Sequence, residues 1–521
     1  MNGSTRSVSL SLIVRALLGT SFLLLPPGAH SLAQSEGDQP AFLRALDNLS
    51  SERMLADVRT LSGPAFSGRQ AGSADDLRSA VWVADQFRAS KISLSFVPFD
   101  QLNILPGDGE GSAVTTGFMS RPYQAVVMAP EATLYISTAR TPDNQRLGTD
   151  FLPVLDSPSA QARAPIVFVG YGIVDPTAGI NDYAGIDVNN CIVLFLRGKP
   201  DHFKGTITHA EKVRIAHQKG AVGYLTATGP VLSSYEIRRG VTGRPSAFYG
   251  LAPAQDNLPG AWISTSRAEQ ILAGADHSNQ EHLRTLQEQL NRTSESRSFS
   301  TEYFGALEWE TRQEQGHLIN VIALLPGTDP QLTREAIVIG AHRDHFGRQA
   351  GLLFPGADDN ASGTAVMLEV ARVLAKAGAH QKRTILFVSF SGEEQGLVGS
   401  RLYVERPIVP LTMTKTMINI DHAGIGNGRL TVGVTELEKS VALEAGQTAG
   451  LTDKLDLYGF FPGGDHVPFK EAGVPTITIV SGGVHPHFHQ PTDTADTINP
   501  EILQTVAQYV LALAWQLANA K

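Results

Sequence analysis

Four short runs constrain this chain more than any other feature: "AIVIGA" (336–341), "TILFVSF" (384–390), "MINI" (417–420) and "TITIV" (476–480). They are apolar on both sides and alternate with helical segments. Such runs suit strands buried on both faces of a parallel sheet, where helices must cross over between them. The expected fold class is α/β, with a mostly parallel central sheet and helices on both faces. The clearest helix follows "PGADDNAS". Ser362 can cap it, Val366, Val370, Val373 and Leu374 form its apolar stripe, and Gly378 can end it.

Each run leads directly into side chains that bind metals: "HRDH", "SGEE", "DH" and "SGGVHPHFHQPTDT". In open α/β sheets, ligands gather beyond the carboxyl ends of the strands. His342, Glu393, Glu394, Asp421 and the histidines at 485–489 would then face one crevice, within reach of Asp358 and Asp359. Adjacent carboxylates repel, but a shared dication reverses that electrostatics. Carboxylates with imidazoles suit zinc ahead of manganese or cobalt. A bridging carboxylate would hold two ions about 3.5–4 Å apart, the spacing used in hydrolysis. Each piece alone has a plainer reading, as a turn, a helix start or a helix cap. Their joint occurrence at successive strand ends is what points to a metal site.

A chain of 521 residues needs more than one core. Its net charge of -9 gives no polybasic signal, which argues against a nucleic-acid partner. Arg6 and Arg15, the apolar "ALLGTSFLLL" and the small residues "SLA" before Gln34 read as a signal peptide over 1–33. That apolar run is short for a bilayer, so no stable membrane insertion is expected after its removal. The expectation is an exported protein, periplasmic or secreted, with a retained anchor as the alternative. A single cysteine, Cys191, excludes an intrachain disulfide and fits bacterial export; in "CIVLFL" it reads as a buried, inert thiol. In the amino-terminal part, "ADDLRSAVWVADQFRAS" is a helix with Leu77, Val81, Val83, Ala84 and Phe87 on its apolar side. The middle region has its own strand and helix pattern and ends in the polar stretch "NRTSESRSFS". The expected division is 34–130 and 300–521 for the catalytic domain, with 131–299 inserted. His202, His209 and His217 form no metal set, so the insert is expected to be non-catalytic.

Six pieces, "GAHRDHFG", "PGADDNASG", "SGEEQGLVGS", "NIDHAG", "GGDHVPF" and "FHQPTDT", occur in an order that resembles the di-zinc aminopeptidase family. Its wider clan includes glutamate carboxypeptidases and transferrin receptors. The likeness runs from Asn320 to the carboxyl terminus and more weakly over 41–130. "IVFVGYGI", "DYAGIDV" and "CIVLFLRG" are similar to the protease-associated domain inserted in many relatives. The resemblance implies two zinc ions per chain and peptide substrates with a free amino terminus. His342 would bind one ion, with Asp344 behind it orienting the imidazole. Asp358 would bridge the ions, and Asp359 would shape the loop through a cis peptide with Asp358. Glu393 would be the general base, Glu394 and Asp421 would each bind an ion, and His489 would complete the second.

Two departures stand out. His422 occupies a position that is usually apolar, and no tyrosine directly precedes "DH" in "GGDHVPF". Phe460 and Phe461 come first and Tyr458 is the nearest hydroxyl, which leaves oxyanion stabilisation to zinc. Asp465 is placed at the pocket or as a loop cap. His345, His380, His422, His466, His485 and His487 are placed behind the ligands, in the pocket or on the surface. A carboxypeptidase or dipeptidase is the first alternative; it would use Arg343 or Arg348 for a terminal carboxylate. A one-zinc glutaminyl cyclase and a receptor on a dead peptidase fold are the others. A dead fold loses ligands, whereas all five positions here are filled.

Overall fold

The computed structural model describes residues 39–94, 113–115, 117–138, 142–233, 236–237, 240–273 and 282–520; the leader expected over 1–33 lies outside them. Two separate sheets dominate, one of nine strands and one of eight. The four apolar runs form the centre of the first. Thr384–Phe390, Ala336–His342, Thr414–Asp421 and Thr476–Ser481 lie side by side in that order, all parallel. Their carboxyl ends therefore open on one edge. Antiparallel strands flank them: Thr311–Leu325 with Phe118–Met128 on one side, and Leu430–Thr435 on the other.

Both faces of this sheet are covered. On one, helices Ser51–Leu61, Ala74–Ala89, Gly363–Ala377 and Pro500–Asn519 bury a continuous core that includes Val366, Val370, Phe387 and Trp515. On the other, the shorter helices Val398–Glu405 and His466–Glu471 contribute Leu402, Tyr403 and Phe469. Full burial of one such side chain stabilises by about 1.5–3 kcal/mol.

Gly363–Ala377 shows its expected stripe and ends at Gly378, whose φ of 62° is the left-handed value a C-terminal glycine supplies. Its start differs from expectation. Asn360 Oδ1 accepts the Gly363 N–H (2.9 Å) in place of a Ser362 cap. Ser362 instead donates its hydroxyl to the Asp358 carbonyl (2.6 Å) and accepts the Ala423 N–H (2.8 Å). The cis peptide of this turn joins Asp359 to Asn360, one residue beyond the expected bond. In Ala74–Ala89, Leu77 and Val81 are 49% and 45% exposed, while Asp76 and Ser79 are buried beside Val83, Ala84 and Phe87. The helix is turned by a polar anchor, Arg343, whose guanidinium bonds both Asp76 and Ser79.

The second sheet takes all its strands from Thr133 to Trp309. Strand Phe299–Trp309 pairs with Ala160–Phe168 and Thr133–Ser137, so the insert extends beyond the expected boundary at 299. "NRTSESRSFS" is thus not the crossing point; the chain rejoins the nine-stranded sheet at Thr311. Cys191 is half-buried rather than buried, and desolvation pushes its thiol up, away from the reactive thiolate. Among the described residues, no helix is long and apolar enough to cross a membrane.

Candidate metal centre

The open edge of the parallel strands collects the predicted side chains. His342 and Asp421 are the last residues of their strands. Glu393 and Glu394 follow Thr384–Phe390, and His489 lies in the loop after Thr476–Ser481. Asp359 comes from the turn before Gly363–Ala377 and stands in the middle. Its Oδ1 is 3.4 Å from His342 Nε2, which is also 3.4 Å from Asp421 Oδ1. Its Oδ2 is 3.1 Å from His489 Nε2, which lies 3.5 Å from Glu394 Oε2. Donor atoms about 2.1 Å from a tetrahedral zinc lie about 3.4 Å from one another. Two such groups therefore share one carboxylate, an oxygen each.

The shared carboxylate is Asp359, not Asp358. Asp358 points the other way and its acceptors are used. Oδ1 receives the Gly424 and Ile425 N–H groups at 2.8 and 3.0 Å. Oδ2 lies 2.7 Å from His485 Nδ1 and 3.2 Å from His422 Nδ1. Asp493 fixes the turn by accepting the Asp358 and Asp359 N–H groups at 2.9 and 3.1 Å. "ADDN" alone does not say which carboxylate faces which side; the only sequence signal was the pair of histidines, His422 and His485, that Asp358 answers.

Asp344 also departs from expectation. Its backbone carbonyl, 3.2 Å from His342 Nδ1, is nearer than its carboxylate at 3.8 Å. The carboxylate instead accepts the Glu393 and Glu394 N–H groups at 3.3 and 3.4 Å, bracing the backbone of both.

The electrostatics call for cations. Burial pushes the Glu393 carboxyl up to about 8, against His342 and reinforced by Asp465 and Asp421. Burial, with Asp359 and Glu393 beside it, drives Glu394 well above the carboxylate range. Burial opposes ionisation of Asp359 too, but His422, His342 and His489 hold it well below that range. Asp421 Oδ1 is buried without a hydrogen bond; His342 Nε2 and His422 Nε2 approach it at 3.4 and 3.9 Å. An acceptor left bare among carboxylates and imidazoles is what a divalent cation would satisfy, so these residues fit a metal pair.

The remaining histidines separate clearly. His345 is buried with Nδ1 2.6 Å from Glu394 Oε1. His422, at φ 45°, has Nε2 3.7 Å from Asp359 Oδ2 and stands on the pocket wall. Both were visible as the extra histidines of "HRDH" and "DH". His485 faces Asp358 through one nitrogen and the Ser481 carbonyl through the other (3.0 Å), leaving none for a metal. His487 pairs with Thr492 at 2.9 Å, His466 with the Phe461 carbonyl at 2.9 Å, and His380 is exposed.

Beside the centre, a pocket exposes Glu393, Asp421 and His422 to a wall that includes Phe461, Val480 and Phe488. Among the described residues, its lining contains no lysine or arginine. Asp465 is buried at the start of His466–Glu471 and Tyr458 is 40% exposed; neither lines it. Arg343 is fully buried against Asp76 at 2.6 Å, and Arg348 is exposed on the hairpin formed by 347–349 and 352–354.

Residues 320–514, which carry every one of these strand ends, match the family described as "Peptidase family M28". This region belongs to peptidase family M28. The chain is similar to the curated "Aminopeptidase YwaD" of Bacillus subtilis, 34% identical over 173 residues, or 31% of this chain and 38% of that protein. It is 30% identical over 218 residues to the "Probable leucine aminopeptidase" of Arthroderma otae, 39% of this chain and 58% of that one. It thus spans well under two thirds of either relative. Among solved structures, the aminopeptidase from Aneurinibacillus sp. strain AM-1 aligns over 92% of this chain and 96% of its own, with TM-score 0.62 and 23% identity. The peptidase M28 precursor from Shewanella amazonensis aligns over 93% and 97%, with TM-score 0.62 and 18% identity. The likeness in fold therefore takes in the eight-stranded sheet as well as the nine-stranded one.

Proposed function

We propose that this chain is an exported zinc aminopeptidase that removes residues from the amino termini of peptides. One observation carries the reading. Beside the centre, Glu393 opens into a pocket walled by Phe461, Val480 and Phe488 and lined, among the described residues, by no lysine or arginine. Such a pocket accepts an apolar side chain and offers a terminal carboxylate no guanidinium or ammonium partner. The names of the relatives, two of them aminopeptidases, support the same activity.

His342, Asp359 and Asp421 would hold one zinc, and Asp359, Glu394 and His489 the other. When bound, the two ions supply Lewis acidity and a water of lowered pKa. Glu393 accepts a proton from the attacking water and returns it to the leaving amine nitrogen. Asp344 keeps the backbone of Glu393 and Glu394 in place during this exchange. The carboxypeptidase reading loses its donors: Arg343 is consumed by Asp76, and Arg348 lies on an exposed hairpin.

A panel of amino-acid arylamides and dipeptides, with zinc measured on the same sample, tests the proposal. Two zincs per chain, activity on apolar first residues, loss on amino-acetylation and tolerance of carboxyl-amidation are expected. Activity that survives acetylation but not amidation would overturn it. A single zinc would favour the cyclase.

A further inference from the structure

Among the described residues, the second-sheet domain reaches the metal centre through loop 240–251. Ala247 meets His489 twice. Its N–H donates to the His489 carbonyl at 3.0 Å, and its own carbonyl oxygen lies 2.9 Å from His489 Nδ1. A carbonyl only accepts, so Nδ1 carries the ring proton. In the neutral ring the lone pair then sits on Nε2, the nitrogen turned toward Asp359 and Glu394. The adjacent residue is held as well, since Gln490 Nε2 donates to the Pro245 carbonyl at 2.9 Å and to Ser246 Oγ at 2.7 Å. His489 has φ 56°, a left-handed conformation that a side-chain-bearing residue keeps only where the surroundings enforce it.

Two residues further on, the Tyr249 hydroxyl accepts from Gln70 Nε2 at 3.2 Å and Gln395 Nε2 at 3.1 Å. Gln395 directly follows Glu394. Tyr249 and Ala247 share a small apolar core with Leu152 of their own domain and with Phe346 and Phe354 of the catalytic one. At Gly240, φ 67°, a Cβ would collide with the His485 carbonyl, so the two domains touch there with no room for a side chain.

We propose that loop 240–251 is a positioning element of the metal centre. The inserted domain supplies the oxygen that fixes the tautomer and tilt of His489, and through Tyr249 it steadies the segment that carries Glu394. Neither Ala247 nor Tyr249 belongs to the candidate ligand groups or to the pocket lining; they act through the proposed ligands His489 and Glu394. The inference rests on the two-ion reading of the centre.

Chelator-competition zinc titration of the full chain tests it, on Tyr249→Phe and separately on Ser246→Ala/Gln490→Leu, with thermal unfolding on the same samples. Wild type should bind two zincs. Each variant should keep the first and bind the second about 10–100-fold more weakly, the usual effect of removing a group behind a ligand. Excess zinc should restore leucyl-arylamide turnover, which a purely structural defect would not allow. If both variants hold two zincs with wild-type affinity, whatever their melting temperature, the positioning role falls and the aminopeptidase reading stands. If wild type itself fails to bind two, both fall together.

Discussion

Replacing Arg343 with methionine should destabilise the catalytic domain more than most single changes. The guanidinium is fully buried and spends its donors on Asp76 Oδ1 (2.6 Å), Ser79 Oγ (3.1 Å) and the carbonyls of Ile319 (2.6 Å), Ser389 (3.1 Å) and Phe390 (3.3 Å). Methionine fills much of the volume but strands the Asp76 carboxylate. Breaking a buried pair in this way costs about 3–5 kcal/mol. The carbonyls that lose a partner put the expected value near the top, about 4–5 kcal/mol. Asp76→Leu alone should cost a similar amount, because it leaves the cation unpaired. The double variant should cost at least about 2 kcal/mol less than the sum, since neither charge then remains. The loss in Arg343→Met should shrink in acid. Burial already raises the Asp76 carboxyl, with Arg343 opposing it. Without Arg343 the folded pKa rises further above the unfolded one, so the associated stability is full at low pH and lost as pH rises. Hydrogen exchange read by mass spectrometry is the assay, because one global unfolding energy is ill defined for two domains. Peptides of Ala74–Ala89 should exchange about 10³-fold faster while those of the second sheet hold. A loss under about 1 kcal/mol, or strict additivity in the double variant, would refute the reasoning.

Three further outcomes are expected. Glu393→Gln should keep both zincs yet lose about 10²–10⁴-fold in turnover, the contribution of a general base; Glu394→Gln should lose zinc, partly reversed by adding it. Metal analysis beside kinetics reads both, and the opposite pattern would exchange their roles. Asp359→Asn should strip both ions, whereas Asp358→Asn should keep them and free His422 and His485; zinc retained in Asp359→Asn and lost in Asp358→Asn would restore Asp358 as the bridge. Mass spectrometry of protein from its host should find Gln34 as the first residue, and a retained Met1 on membrane-bound material would mean an anchor.

The four apolar runs made the parallel core readable, because burial on both faces leaves a strand mostly apolar along both sides, with few buried polar residues such as Ser389 and Asn419. The metal centre was readable to the level of residue type for the same reason: strand ends fix where a side chain emerges. His342, Asp421 and the Glu393–Glu394 pair emerge there. What failed was orientation inside a turn. Asp358 and Asp359 are adjacent and chemically alike, and only the surrounding contacts, Gly424, Ile425, His422 and His485 on one side against His342 and His489 on the other, tell them apart. The Ser362 cap failed similarly, since Asn360 and Ser362 compete for one role. The helix Ala74–Ala89 misled because its buried side carries Asp76 and Ser79, which periodicity reads as solvent-facing. The contact between Ala247 and His489 spans 242 residues of chain, and no local pattern encodes it.

The pairing of Met128 with Thr311 makes the whole inserted domain the loop of a single antiparallel hairpin. Closing a floppy loop of roughly 180 residues would cost about 4–5 kcal/mol of chain entropy before the first rung of that ladder forms. A domain that folds first removes most of this cost, because its own sheet ends at Trp309, beside the start of the returning strand. The connectivity thereby favours one order of assembly. The insert closes on itself, its two ends present Phe118–Met128 and Thr311–Leu325 to each other in register, and the catalytic sheet gains its antiparallel flank in a single short-range step.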